Sequence, residues 1–125
     1  MNLLLDTHVL LWWLDDNTRL SARAKTAITN GENVVFVSAV TIWETRIKEA
    51  LGKFKLPRNF RSVLETQPFI MLDISAEHAH AIAKLPAHHR DPFDRMLIAQ
   101  AQVERLTLIT SDTRIKQYKV SVLNA

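Results

Sequence analysis

The chain contains no cysteine. That absence excludes disulfide scaffolds, zinc ribbons, iron–sulfur ligation and thiol catalysis together, and it fits a reducing compartment such as the cytoplasm. Glycine is nearly as scarce. Gly31 and Gly52 are the only two, and they stand alone. Neither a P-loop nor a GxGxxG dinucleotide fingerprint can be written, so most nucleotide-cofactor chemistry is set aside. Long hydrophobic runs are missing too. The most apolar stretch, Leu3 to Leu14, lacks a basic start and is interrupted by Asp6 and His8. It also falls well short of the roughly 20 residues that span a bilayer, so no membrane role is expected.

What is present describes one ordinary globular domain over residues 1–125, too short for a second core. Sixteen Lys and Arg against thirteen Asp and Glu leave a net charge of +3. That mild excess permits a polyanionic partner without demonstrating one.

Five short apolar runs read as strands: Asn2–Asp6, Val34–Ser38, Phe69–Ile74, Thr107–Thr110 and Val120–Leu123. Helical patterns lie between them, over Thr7–Leu14, Ser21–Asn30, Ser38–Leu51, Arg58–Thr66, Ser75–Leu85 and Asp91–Arg105, with a short turn over Asp112–Tyr118. Ser21, Ser38 and Asp91 are placed to cap helix starts, Pro92 to occupy a first turn, and Gly31 and Gly52 to follow helix ends. Val40, Trp43, Ile47 and Leu51 recur at helical spacing and predict an inward face. Strands alternating with helices predict an α/β fold: a central, mostly parallel sheet of about five strands, covered on both faces in three layers.

In such sheets ligands bind beyond the carboxyl ends of the strands, and acids fall there. Asp6 closes the first strand and Asp112 follows the fourth by two residues. Asp94 lies in the first turn of the long helix leading to the fourth strand. Glu44 shares a helical stripe with Val40, Ile47 and Leu51, a position the pattern turns inward. The plain alternatives are helix capping for Asp6, Asp91, Asp94 and Asp112, and a solvated pair with Lys48 for Glu44. Taken together, four converging carboxylates would repel by about 1–4 kcal/mol per close pair. A divalent cation relieves that repulsion, and oxygen-only ligands favour Mg2+ or Mn2+ over zinc. Carboxylate-held Mg2+ suits phosphodiester hydrolysis.

These segments, in order, resemble the PIN-domain ribonucleases, and more narrowly the VapC-type toxins of prokaryotic toxin–antitoxin modules. The resemblance runs through LLLDTHVLLWWL with Asp6, SAVTIWETRIKEALGK with Glu44, HRDPFDRMLIAQA with Asp94, and LTLITSDTRIKQY with Asp112. It covers essentially the whole chain. It implies a three-layer PIN-like sandwich and an Mg2+- or Mn2+-dependent endoribonuclease, with Asp6, Glu44, Asp94 and Asp112 as catalytic and metal-holding acids. Thr110 and Asp91 would stand behind them. Partners implied are RNA, a VapB-like antitoxin and a second copy in a homodimer.

Other residues invite competing readings. Lys48, Lys53, Lys55, Arg58 and Arg61 form a basic stretch suited to tracking RNA phosphates, or simply a solvated surface. Arg90, Arg95 and Arg114 lie near the acids in sequence and are further candidates for contacting phosphate. His88 and His89 read as solvated loop residues. His78 and His80, two apart on a helix, do not share a face. Adjacent Trp12 and Trp13 cannot both face one core, so one is expected to mark an interface. A metal-dependent DNA nuclease or phosphatase, and a non-catalytic acidic pocket that receives a basic peptide, stay open as alternatives.

Overall fold

The computed structural model describes all residues, 1–125. Five strands, β1 (Asn2–Leu5), β2 (Val34–Ser38), β3 (Ile70–Leu72), β4 (Thr107–Thr110) and β5 (Val122–Asn124), form one sheet in the order β3-β2-β1-β4-β5. Every pairing is parallel. Six helices connect them: α1 (Thr7–Leu14), α2 (Ala22–Thr29), α3 (Ala39–Ala50), α4 (Phe60–Glu65), α5 (Ala76–Ala81) and α6 (Pro92–Glu104). No helix is long and apolar enough to cross a membrane.

The run of leucines in β1 is what a strand buried on both faces requires. Leu3 and Leu5 join the core beneath α1, α2 and α4, while Leu4 joins the core beneath α6. All three are fully buried. Alternation along a single strand thus produces the three layers. The β1–β4 register, Leu3 with Thr107 through Leu5 with Ile109, is extended by a bond from the Asp6 N–H to the Ile109 carbonyl at 3.1 Å. Asp6 and Thr110 therefore meet at the carboxyl edge. The chain leaves β1 first toward β2 and later returns to β4 on the other side, so that edge is the topological switch point.

Local signals placed most element boundaries. Ser21, Ser38 and Asp91 cap α2, α3 and α6 through their side chains, and Pro92 opens α6. Gly52 follows α3 with a positive φ of 73°. Gly31 does not act this way: α2 ends on an extended Asn30, and the left-handed ending falls instead to Arg105 after α6, at φ 57°. The expected helix over Ser75–Leu85 stops at Ala81 and tightens into a 3-10 turn at Ile82–Lys84, because Leu85 must be extended ahead of Pro86. The Asp112–Tyr118 helix is only a 3-10 turn over Ile115–Gln117. β5 begins at Val122, two residues later than expected. β3 shrinks to three residues on the sheet edge, leaving Ile70, Met71 and Ile74 exposed.

Two packing expectations are corrected. α3 does not turn Trp43 and Leu51 inward: they are 57% and 65% exposed. Its buried residues are Val40, Thr41, Glu44 and Thr45. The Thr45 hydroxyl is satisfied by the Thr41 carbonyl, and Glu44 finds partners on α1 and α3, so a polar face is buried at little cost. Trp12 and Trp13 are both half-buried against the same core, with the Trp13 indole N–H donating to Gln67 Oε1.

Leu108, fully buried in β4 between β1 and β5, tests the α6-side core. Leu108→Ala is expected to cost about 2–5 kcal/mol, read as a lowered urea midpoint.

Candidate active site

Asp6 is 6% exposed and caps α1 through the Val9 N–H at 2.9 Å. Burial pushes its carboxyl above the usual range, and the charge of Asp112 adds to the push. Hydrogen bonds from the Thr110 hydroxyl and the Val9 N–H, with the charge of His8, offset part of it. The Thr110 hydroxyl also accepts the Asp112 N–H at 3.0 Å. This fully buried threonine thus ties the ends of β1 and β4 to the following loop.

Glu44 is 3% exposed. It accepts the Thr7 hydroxyl at 2.6 Å and pairs with Lys48 one turn along α3. The carboxylate is turned inward, and Lys48 is its partner in a buried pair and not a solvated one. Burial works against the Lys48 charge, but the hydrogen bond and charge of Glu44, with Asp91 and Asp94 beyond, raise its pKa. Thr7 was not singled out from sequence; its only signal was its place directly after Asp6.

Asp94 is raised as well. Burial and the neighbouring Asp91 push its pKa up to about 7, with Asp6 and Glu44 adding and His89 opposing. Asp91 is the cap of α6, accepting the N–H groups of Phe93 at 2.8 Å and Asp94 at 3.2 Å. Asp112 behaves differently. Burial would raise its pKa, but the Arg114 N–H, the His89 ring and the Arg114 side chain together lower it. The charges of Asp6 and Glu44 thus bear on Asp94, and that of Asp112 on Asp6. The side chains that come within 4.8 Å of one another are His89, Asp94 and Asp112, with Asp6 and Glu44 further off.

His89 is a correction. Expected in solvent, it is 4% exposed, with Nε2 at 2.9 Å from Asp94 Oδ2 and 3.0 Å from Asp112 Oδ2. Its one sequence signal was proximity to Asp91 and Asp94.

The basic residues divide. Lys48 belongs to the pocket. Arg114 lies at its rim, 3.4 Å from Asp112 and 60% exposed. The Arg95 guanidinium is spent on the connecting loop, with bonds of 3.0–3.4 Å to the carbonyls of Pro86, His89, Ile82 and Leu85 and to the Tyr118 hydroxyl. It supports the site from behind and is not free for phosphate. Arg58 is exposed, and Lys53 and Lys55 line a separate cleft of about 400 Å³ with Trp12, Phe54 and Phe60. None of the four acids lines that cleft. Next to two of them, on α3 and α6, Trp43 meets Phe93 edge-on at 5.2 Å.

A carboxyl whose pKa is higher in the folded chain binds its proton more tightly there. Its contribution to stability is complete below pH 3.8 and is lost as pH rises through about 7. In metal-free protein, Asp94→Asn is therefore expected to stabilise the fold at pH 8, by roughly 1–3 kcal/mol, with little effect near pH 4. Thermal melts in chelator at the two pH values check this.

Known proteins share this arrangement of chain. The PIN domain family model matches residues 3–121. Ribonuclease VapC22 of Mycobacterium tuberculosis is 28% identical over 119 residues, spanning 93% of this chain and 91% of that protein. Among solved structures, VapBC2 from Rickettsia felis, bound to a DNA fragment from its promoter, superposes with a TM-score of 0.76 at 16% identity, covering 99% of this chain and 98% of that one. DNA-bound VapBC from Salmonella typhimurium gives 0.73 at 17% identity, with the same coverage. At these identities the solved structures speak for the fold, while the family model takes in both strand-edge acids and both helix-borne acids: the chain belongs to the PIN-domain family.

Proposed function

We propose that this chain is a VapC-type endoribonuclease, the toxin of a VapBC-type toxin–antitoxin module, and that it hydrolyses RNA phosphodiester bonds with the aid of Mg2+ or Mn2+. The observation that supports the reading is the gathering of acids about the switch point of the sheet: Asp94 and Asp112 share His89, the charges of Asp6 and Glu44 bear on Asp94, and burial with these neighbours pushes Asp94 up to about 7. Resemblance to a relative named as a ribonuclease supports the substrate class.

The donor set suits a hard dication: carboxylate oxygens in a chain without cysteine. Asp6, Glu44, Asp94 and Asp112 would hold it. When bound, such an ion activates water and offsets charge on the phosphodiester. The protein's own groups do the rest. The α1 cap and Thr110 hold Asp6, and Thr7 holds Glu44. Lys48, a cation already inside the pocket, and Arg114 at its rim are placed to meet a phosphate. Lys53, Lys55 and Arg58 extend the basic surface along an RNA backbone. A VapB-like antitoxin and a second copy of the chain are the protein partners, and the cytoplasm is the place of action. The exposed apolar side chains Ile70, Met71 and Ile74 on the sheet edge supply surface for such contacts.

Purified protein stripped with chelator is expected to cut RNA only after Mg2+ or Mn2+ is restored. Asp6→Asn and Asp94→Asn should each lower that rate about a thousandfold or more while keeping the wild-type circular dichroism. Equal cleavage of DNA, a preference for phosphomonoesters, or full activity of both variants would sink the reading.

A further inference from the structure

We propose that His89 is a positioning residue: a fixed hydrogen-bond donor that holds Asp112 in place beside Asp94, and not itself a ligand of the metal. The inference rests on the reading of those acids as metal-holding. By distance alone His89 looks like a ligand, since its ring nitrogen and the oxygens of Asp94 and Asp112 lie within 4.8 Å of one another. The polarity of its hydrogen bonds argues the opposite.

His89 Nδ1 accepts the backbone N–H of Asp91 at 3.1 Å. A peptide N–H only donates, so Nδ1 must present a lone pair and carries no proton. The neutral ring then has its hydrogen on Nε2. That N–H is donated to Asp112 Oδ2 at 3.0 Å, and Asp94 Oδ2 lies 2.9 Å from the same nitrogen without taking the hydrogen bond. A protonated Nε2 has no lone pair for a cation. Coordination through it would require moving the hydrogen to Nδ1, setting two donors face to face at Asp91.

Nor can the loop easily yield. The His89 N–H donates to the Tyr118 hydroxyl at 2.9 Å, and that hydroxyl donates to the Pro86 carbonyl at 2.8 Å. Arg95 holds the Pro86 and His89 carbonyls, and Asp91 caps α6. The ring is thereby locked with its N–H on Asp112 and the same nitrogen close against Asp94. In most metal sites a carboxylate orients a ligating histidine; here the histidine orients a ligating carboxylate, Asp112.

Long-range proton–nitrogen NMR on wild-type protein reads the tautomer directly. The Nε2-protonated form is expected without metal and should persist when Mg2+ is added. Loss of the Nε2 proton on adding Mg2+, or an Nδ1-protonated ring in metal-free protein, would overturn the assignment. Calorimetric titration with Mn2+ adds a second readout. His89→Gln, whose amide nitrogen can reach the Nε2 position, should bind within about threefold of wild type, whereas His89→Leu should bind about 10–100-fold more weakly. Equal loss in both variants would count against positioning. If wild-type protein binds neither ion, the metal reading itself fails, and the tautomer spectrum still decides whether His89 is the donor.

Discussion

Repulsion among carboxylates held in one recess is the constraint around which the rest of the molecule is arranged. Each acid approaches from a different segment, and each is restrained by a bond that also builds the fold. Asp6 begins α1, Glu44 is tied to Thr7, Asp94 follows the cap of α6, and Asp112 is held by the loop after β4. Because these restraints are helix starts and strand ends, separating the charges would mean dismantling secondary structure. Burial together with the neighbouring acids raises the carboxyls of both Asp6 and Asp94 above the usual range. A site kept in such a state is less stable than its surroundings would allow, a common feature of sites organised around a ligand's charge.

The loop before α6 shows how the strain is contained. Arg95 and Tyr118 reach back to the carbonyls of Ile82–His89, so a segment with little regular structure becomes a rigid wall. His89 then enters the pocket from behind with its hydrogen-bond polarity already set. The support comes from α6 and from the turn after β4, the same two regions that carry Asp94 and Asp112. Positioning and chemistry thus share their elements, and movement of either acid would disturb the wall.

Much of the architecture was legible from local pattern. The β1 leucines, the serine and aspartate caps, Pro92 and Gly52 each act through neighbours a few residues away, and the predicted elements stand where those signals put them. Departures occur where a distant partner decides. β3 is short because it has one neighbouring strand and little to cover it. α3 rotates its polar side inward because Thr7, on another helix, gives Glu44 a hydrogen bond that no helical pattern could anticipate. The candidate acids were legible individually as polar residues where strands end, but each alone was equally a helix cap, and Asp6 and Asp91 are indeed caps as well.

The sequence by itself determined the order of strands and helices, the two-sided burial of β1, and the placement of Asp6 and Asp112 just past strand ends and of Glu44 and Asp94 on helices, since these depend on periodicity and short-range capping. Tertiary structure decided which charges meet and which are spent. It carried His89 from an apparent solvent loop into the acid cluster, and Lys48 from the edge of a basic tract into the pocket. It turned Arg95 inward onto the loop carbonyls. Those outcomes depend on distances between segments tens of residues apart, set by the parallel register of β1 against β4 and the packing of α6 beneath them, and no pattern confined to one segment encodes them.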